Sequence, residues 1–120
     1  MNTQTVQKNI HYFKDMDPRQ FVPLFFENAI DKITLAKQAS LDDDFRRAGE
    51  YVKAATAIVE GLRDSLDIEE GGELAHHLED IYRYVAHRLK MAKEGSDIAR
   101  LDESRSLLME IYQAWWAVSR

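Results

Sequence analysis

The chain has 120 residues, 45% of them hydrophobic and 31% charged, with a formal net charge of −5 and no cysteine. That length fits one domain, and the composition is too apolar for a disordered chain. The missing cysteines exclude a disulfide framework, a thiolate metal site and a cysteine nucleophile, and the acidic balance, with Lys and Arg scattered among more numerous Asp and Glu, argues against nucleic-acid binding.

Residues 1–16 are read as a flexible N-terminal segment outside the folded domain, with Ile10, Tyr12, Phe13 and Met16 as apolar contact points. Met1 to Asn9 has no apolar core of a secretory signal, and no run approaches the roughly 18 apolar residues of a membrane span. A cytoplasmic chain without membrane insertion is expected.

Helical periodicity begins at Asp17-Pro18-Arg19-Gln20. Asp17 suits the cap, Pro18 the first helical position, where no N–H is needed, and Gln20 the capping-box position. Val22, Phe25, Phe26, Ala29, Ile30, Ile33 and Ala36 form a wide apolar face. Pro23 lies about one turn inside and cannot donate to the Arg19 carbonyl, which predicts a frayed or kinked first turn.

Asp42-Asp43-Asp44 opens the second helix with negative charge at the positive end of its dipole. Phe45, Ala48, Val52, Ala55, Val59, Leu62 and Leu66 then alternate spacings of three and four, a heptad seam. Asp67 to Gly72 reads as a loop. The third helix is predicted from about Gly72 to Lys93, with Leu74, Leu78, Ile81, Tyr82, Val85, Leu89 and Ala92 inward. Gly95 is a natural stop, and Ser96 or Asp97 can cap a fourth helix carrying Leu101, Leu107, Leu108, Ile111, Tyr112, Ala114, Trp115 and Val118. No strand pattern occurs. Four helices of about 22 residues, roughly 33 Å each, with short connections make an all-α, antiparallel up-down-up-down four-helix bundle over 17–120.

Catalytic chemistry is poorly represented. Glu73 and His76 form an E-x-x-H pair beside His77 and Asp80. Di-iron bundles need two such pairs and two further glutamates, and no second pair exists here. A solvated polar face is the plainer reading, with a weak surface zinc site at His76 and Asp80 as the metal alternative. His87 lies on the same side, but no nucleophile or glycine-rich loop completes an array. No catalytic residue, metal or cofactor is assigned, and a binding protein is expected.

A second stripe runs beside the seam of the second helix: Tyr51, Ala54, Ile58, Gly61 and Ser65. It is apolar but mostly small, and Gly61 within a helix costs about 1 kcal/mol against alanine. The stripe either packs on a neighbouring helix or forms a shallow groove for an amphipathic client helix. Trp115 and Trp116 point about 100° apart, so Trp115 is the core candidate and Trp116 an edge residue available for contact.

Several stretches resemble the flagellar export chaperones of the FliS family: Ser65-Leu66-Asp67, Gly71-Gly72-Glu73-Leu74-Ala75, Leu78, Tyr82-Arg83-Tyr84, Arg88-Leu89, Leu101-Asp102-Glu103, Leu107-Leu108 and Ala114-Trp115, with Asp17-Pro18 and Phe21 to Ile30 at the first helix. The match covers roughly residues 17–116 and is carried by the order and spacing of these stretches. It departs from the family at Phe25-Phe26-Glu27-Asn28, where an L-Y-D-G-like run is common, and at Ala54-Ala55, where a Lys-Ala pair is typical. The resemblance implies a helical bundle that binds the disordered C-terminal segment of flagellin in the cytoplasm, prevents its premature polymerisation and presents it to flagellar export gate components. On that reading the client contacts are Ile10, Tyr12, Phe13, Tyr51, Ala54, Ile58, Gly61, Ser65, Tyr84 and Trp116, and the N-terminal segment can cover part of the client surface. The competing readings are another secretion-type chaperone or regulator-binding module and, further off, a metal-binding bundle enzyme.

Overall fold

The computed structural model describes residues 18–66, 68–92 and 97–118. They form four helices: α1 (Pro18–Leu41), α2 (Phe45–Asp64), α3 (Ile68–Met91) and α4 (Ile98–Val118). Each helix packs on its neighbour in the chain, and α4 returns to α1. Short connections make successive helices antiparallel, so the ring is an up-down-up-down four-helix bundle. Ile10, Tyr12, Phe13 and the proposed Asp17 cap lie outside the described residues.

The helix ends follow from local chemistry. At the α1–α2 corner two of the three aspartates have distinct roles. Asp43 takes a left-handed φ of 59°, which a short polar side chain tolerates better than most. Asp44 caps α2, its carboxylate accepting from the Arg47 N–H at 3.3 Å. Asp97 caps α4 in the same way, accepting from the Arg100 N–H at 3.1 Å. Pro23 lies inside α1, which continues through it without interruption.

The expected loop at 67–72 is partly helical instead. A turn of helix starts at Ile68 and breaks at Gly72, where φ is 56° and ψ −134°. Only glycine adopts such a backbone readily. A Cβ on Gly71 would sit 2.6 Å from that of Ala75, so the first glycine of the pair answers to close approach and the second to backbone conformation.

The core is the α2 seam and what faces it. Ala48, Val52, Ala55, Val59 and Leu62 are buried on α2; Phe26, Ala29, Ile33 and Ala36 on α1; Tyr82, Val85 and Leu89 on α3; Leu101 and Leu108 on α4. The alanines let α1 and α2 approach closely, and this pair is the most extensively packed of the four. Phe26 extends from it, with its ring stacked on Tyr112 of α4 at 5.1 Å and tilted against Tyr82 of α3 at 6.2 Å.

Polar ties fix the α1–α4 register. The Tyr112 hydroxyl donates to Glu27 at 3.0 Å, the Arg105 guanidinium donates to Thr34 at 3.0 Å, and Lys37 pairs with Asp102 at 2.9 Å. Equal steps along both helices give one antiparallel alignment.

Three residues expected inward are exposed: Phe45, Leu74 and Ala114. Phe45 is the first residue of α2, and Leu74 lies two residues past the Gly72 break, so both stand at helix starts. Ala114 is turned away from the Leu101–Leu108 line. Ser104 is buried although nothing in its chemistry suggested it.

Replacing Phe26 by alanine removes the side chain that joins three helices. A loss of about 3–5 kcal/mol in urea unfolding is expected; a loss below about 1 kcal/mol would show that this contact is not central.

Candidate functional site

The predicted contact residues do not converge on one groove. Tyr51 and Ile58 of α2 are half-buried against the core. Lys32 of α1 places its ammonium 5.9 Å from the centre of the Tyr51 ring, so this stripe borders α1. The opposite side of α2 carries Glu60, which pairs with Lys90 of α3 at 2.7 Å. Ala54 and Ser65 are partly exposed on the stripe, and the Ser65 hydroxyl donates back to the Leu62 carbonyl at 2.7 Å. Gly61 is buried. Phe25, half-buried and edge-on to Phe21 at 5.9 Å, lies on the α1 side that faces this stripe. The α1–α2 flank is thus a shallow, largely small-residue surface with aromatic margins, and the sequence reading missed Phe25 and Lys32 as part of it.

Tyr84 lies elsewhere, on the α3–α4 flank. It is one of two residues gathered on Glu103 of α4. The Tyr84 hydroxyl donates to one carboxylate oxygen of Glu103, and the Arg88 guanidinium donates to the other at 2.7 Å. These three come from separate sequence stretches, Tyr82-Arg83-Tyr84, Arg88-Leu89 and Leu101-Asp102-Glu103, and the fold closes them into one clasp. The Tyr84 hydroxyl first and the Arg88 guanidinium second hold the Glu103 carboxyl below its ordinary value of 4.5. The same hydrogen bonds to Glu103 push the Tyr84 phenol and the Arg88 guanidinium up.

Along the flank that carries the clasp, Leu74 and Tyr84 are exposed, and Ile81, Leu107 and Ile111 are only half-buried. Helical geometry sets Leu74, Ile81 and Tyr84 on the side of α3 that carries Arg88, and Leu107 and Ile111 between Glu103 and the core line of α4. This second apolar flank lies across the ring from the α2 stripe. The sequence reading set Leu74 and Ile81 inward and placed Leu107 and Ile111 among the apolar positions of α4. A signal was present: the apolar residues of α4 span too wide an arc for one seam.

Trp116 occupies a third place. It is exposed, 6.2 Å from Tyr112 and 5.1 Å from Trp115 by ring centres. It ends an aromatic series that begins at buried Tyr82 and Phe26. Burial raises the Tyr112 phenol. Glu73, His76, His77, Asp80 and His87 are not gathered into a centre, and among the described residues no group of three or more His, Asp or Glu side chains is placed to hold a metal ion. No described helix is long and apolar enough to cross a membrane.

The family model described as flagellar protein FliS matches residues 1–120. The chain is 32% identical to the flagellar secretion chaperone FliSB of Pseudomonas aeruginosa over 105 residues, 88% of this chain and 83% of that protein. It is 32% identical to the flagellar secretion chaperone FliS of Salmonella typhimurium over 103 residues, 85% of this chain and 76% of the relative. Its identity to the FliS chaperone of Vibrio cholerae is 28% over 98 residues, covering 82% and 72%.

Glu103 has a definite acid signature. Its carboxyl ionises more readily folded than unfolded, so the clasp stabilises the bundle above the unfolded-state value and is lost as pH falls through the folded one. Glu103→Gln is expected to unfold at lower urea than the parent at pH 7, with the two midpoints converging below pH 4.5. A gap that stays constant through that range would remove the clasp from the account.

Proposed function

This chain belongs to the FliS family of flagellar secretion chaperones, and from that membership we propose that it binds the disordered C-terminal segment of flagellin in the cytosol. On this reading it prevents premature polymerisation and presents the client to the flagellar type III export gate. The protein acts by covering surface and not by catalysis. The observation that carries the reading beyond the family is the placing of partly uncovered apolar residues on two opposed flanks, Tyr51 and Ile58 on one and Leu74, Ile81 and Tyr84 on the other.

One compact partner cannot reach both flanks at once. An extended or helical segment wrapped around the bundle can. A client that orders on binding loses several kcal/mol of its gross interaction energy to that ordering, so it gains from a long, shallow contact more than from one deep pocket. Wrapping also sequesters apolar client residues that would otherwise drive polymerisation. Ile10, Tyr12 and Phe13 belong to the same proposal as a removable cover supplied by residues 1–16.

Two experiments test this. Ile58→Asp is expected to weaken binding of the flagellin C-terminal segment by roughly tenfold or more in calorimetry, with the helical circular dichroism unchanged. Parent-like affinity in the folded variant would count against the α2 stripe. Deleting residues 1–16 is expected to leave the bundle folded and client binding unchanged or tighter; collapse of the bundle would refute the cover.

A further inference from the structure

The four seams of the ring are unequal; α3 packs on α2 more extensively than on α4, with Lys90 paired to Glu60 at 2.7 Å. α1 and α2 are joined by buried alanines and the wide apolar face around Phe26. α1 and α4 share three polar ties and the stacked Phe26–Tyr112 pair. The α3–α4 seam is the sparsest of the four packed pairs among the described residues. Its polar tie is the Glu103 clasp, and several of its apolar side chains remain half in solvent.

Among the described residues, the same seam holds two buried polar atoms without a hydrogen-bond partner, Nε of Arg88 on α3 and Oγ of Ser104 on α4. Arg88 reaches across to Glu103. Ser104, fully buried, sits one residue on from Glu103, turned toward the core on the α3 side of the Leu101–Leu108 line. Each unsatisfied buried group costs free energy that a pairing partner would return. Both costs fall where packing is thinnest. At the other end, α3 is already interrupted at Gly72, whose φ of 56° breaks the helix in an exposed position with nothing within 4 Å of a built Cβ.

We infer that the α3–α4 seam opens locally: the two helices part at the Glu103 clasp, α3 staying on α2 and turning at Gly72, at lower free energy than global unfolding. Opening removes the two unpaired polar atoms from burial and exposes the apolar line of Val85, Leu89, Leu101 and Leu108. The α1–α2 pair stays closed. This partition follows from the packing and does not depend on the identity of any client. Parted helices lose packing that supplies much of their stability, so the opening is visible at the backbone as well as at side chains.

The absence of cysteine makes the test direct. In the full chain, Ser104→Cys places a single near-isosteric thiol in the α3–α4 seam, and Ala55→Cys places one in the α2 seam. Labelling with a disulfide reagent is followed at rising urea below the unfolding transition. The Ser104→Cys thiol is expected to react through an opening with a shallower urea dependence than global unfolding, and the Ala55→Cys thiol only through global unfolding. Adding Glu103→Gln is expected to accelerate the first by about tenfold and to leave the second to follow global stability. Equal rates and equal urea dependences at the two sites would overturn the inference. Hydrogen exchange of the unaltered chain provides an arm free of mutation: amides of α3 and α4 beside the seam are expected to exchange before those of α1 and α2, and uniform protection across the helices would overturn it equally.

Discussion

Phe26 reaches where no backbone contact does. Its ring leaves the close-packed α1–α2 pair, stacks on Tyr112 of α4 and meets Tyr82 of α3. Fully buried aromatic area is a large apolar contribution in a chain of this size, and here one side chain ties the two later helices to the first. The alanines of α1 and α2 make that possible. Small residues bring the two axes together, which leaves a long aromatic on the same face free to project to the far side of the ring. The α1–α4 register then follows from Tyr112, because the neighbouring Glu27, Thr34 and Lys37 meet their partners only in that alignment.

The arrangement concentrates stability on one side of the bundle. α1 is held by α2 on one flank and by α4 on the other, and α2 by its continuous seam. α3 has the apolar line of Tyr82, Val85 and Leu89, but its outer contact with α4 rests on the Glu103 clasp. On the proposed function, such unevenness suits a bundle that covers client surface: the closely packed α1–α2 pair supplies the fold, and the partly uncovered flanks supply places to bind. The α2 stripe and the α3–α4 flank differ in character. The first is shallow and built from small residues with aromatic margins; the second has protruding leucine, isoleucine and tyrosine side chains around a charged clasp.

Much of the candidate site was visible in the sequence only as residue types. Trp116 was legible as an edge residue because two adjacent tryptophans cannot share a helix face. The Tyr51–Ser65 stripe was legible because it repeats the seam spacing one position away. Which helix the stripe borders was not, since periodicity gives an angle about one axis and says nothing of the neighbour. Tyr84, Arg88 and Glu103 appeared as parts of separate stretches, and nothing local couples residues 15 and 19 positions apart.

Heptad spacing, capping aspartates and the lack of any strand pattern determined four helices and their core faces, because those features act within a turn or two of the chain. The tertiary structure decided what depends on where helices end and how they are rotated against each other. Leu74 and Phe45 fit an inward pattern yet stand exposed at helix starts. Ser104, a polar residue in a helix, is enclosed because α3 and α4 close over it. The α3–α4 clasp and its thin packing arise from that closure, and no local rule contains them.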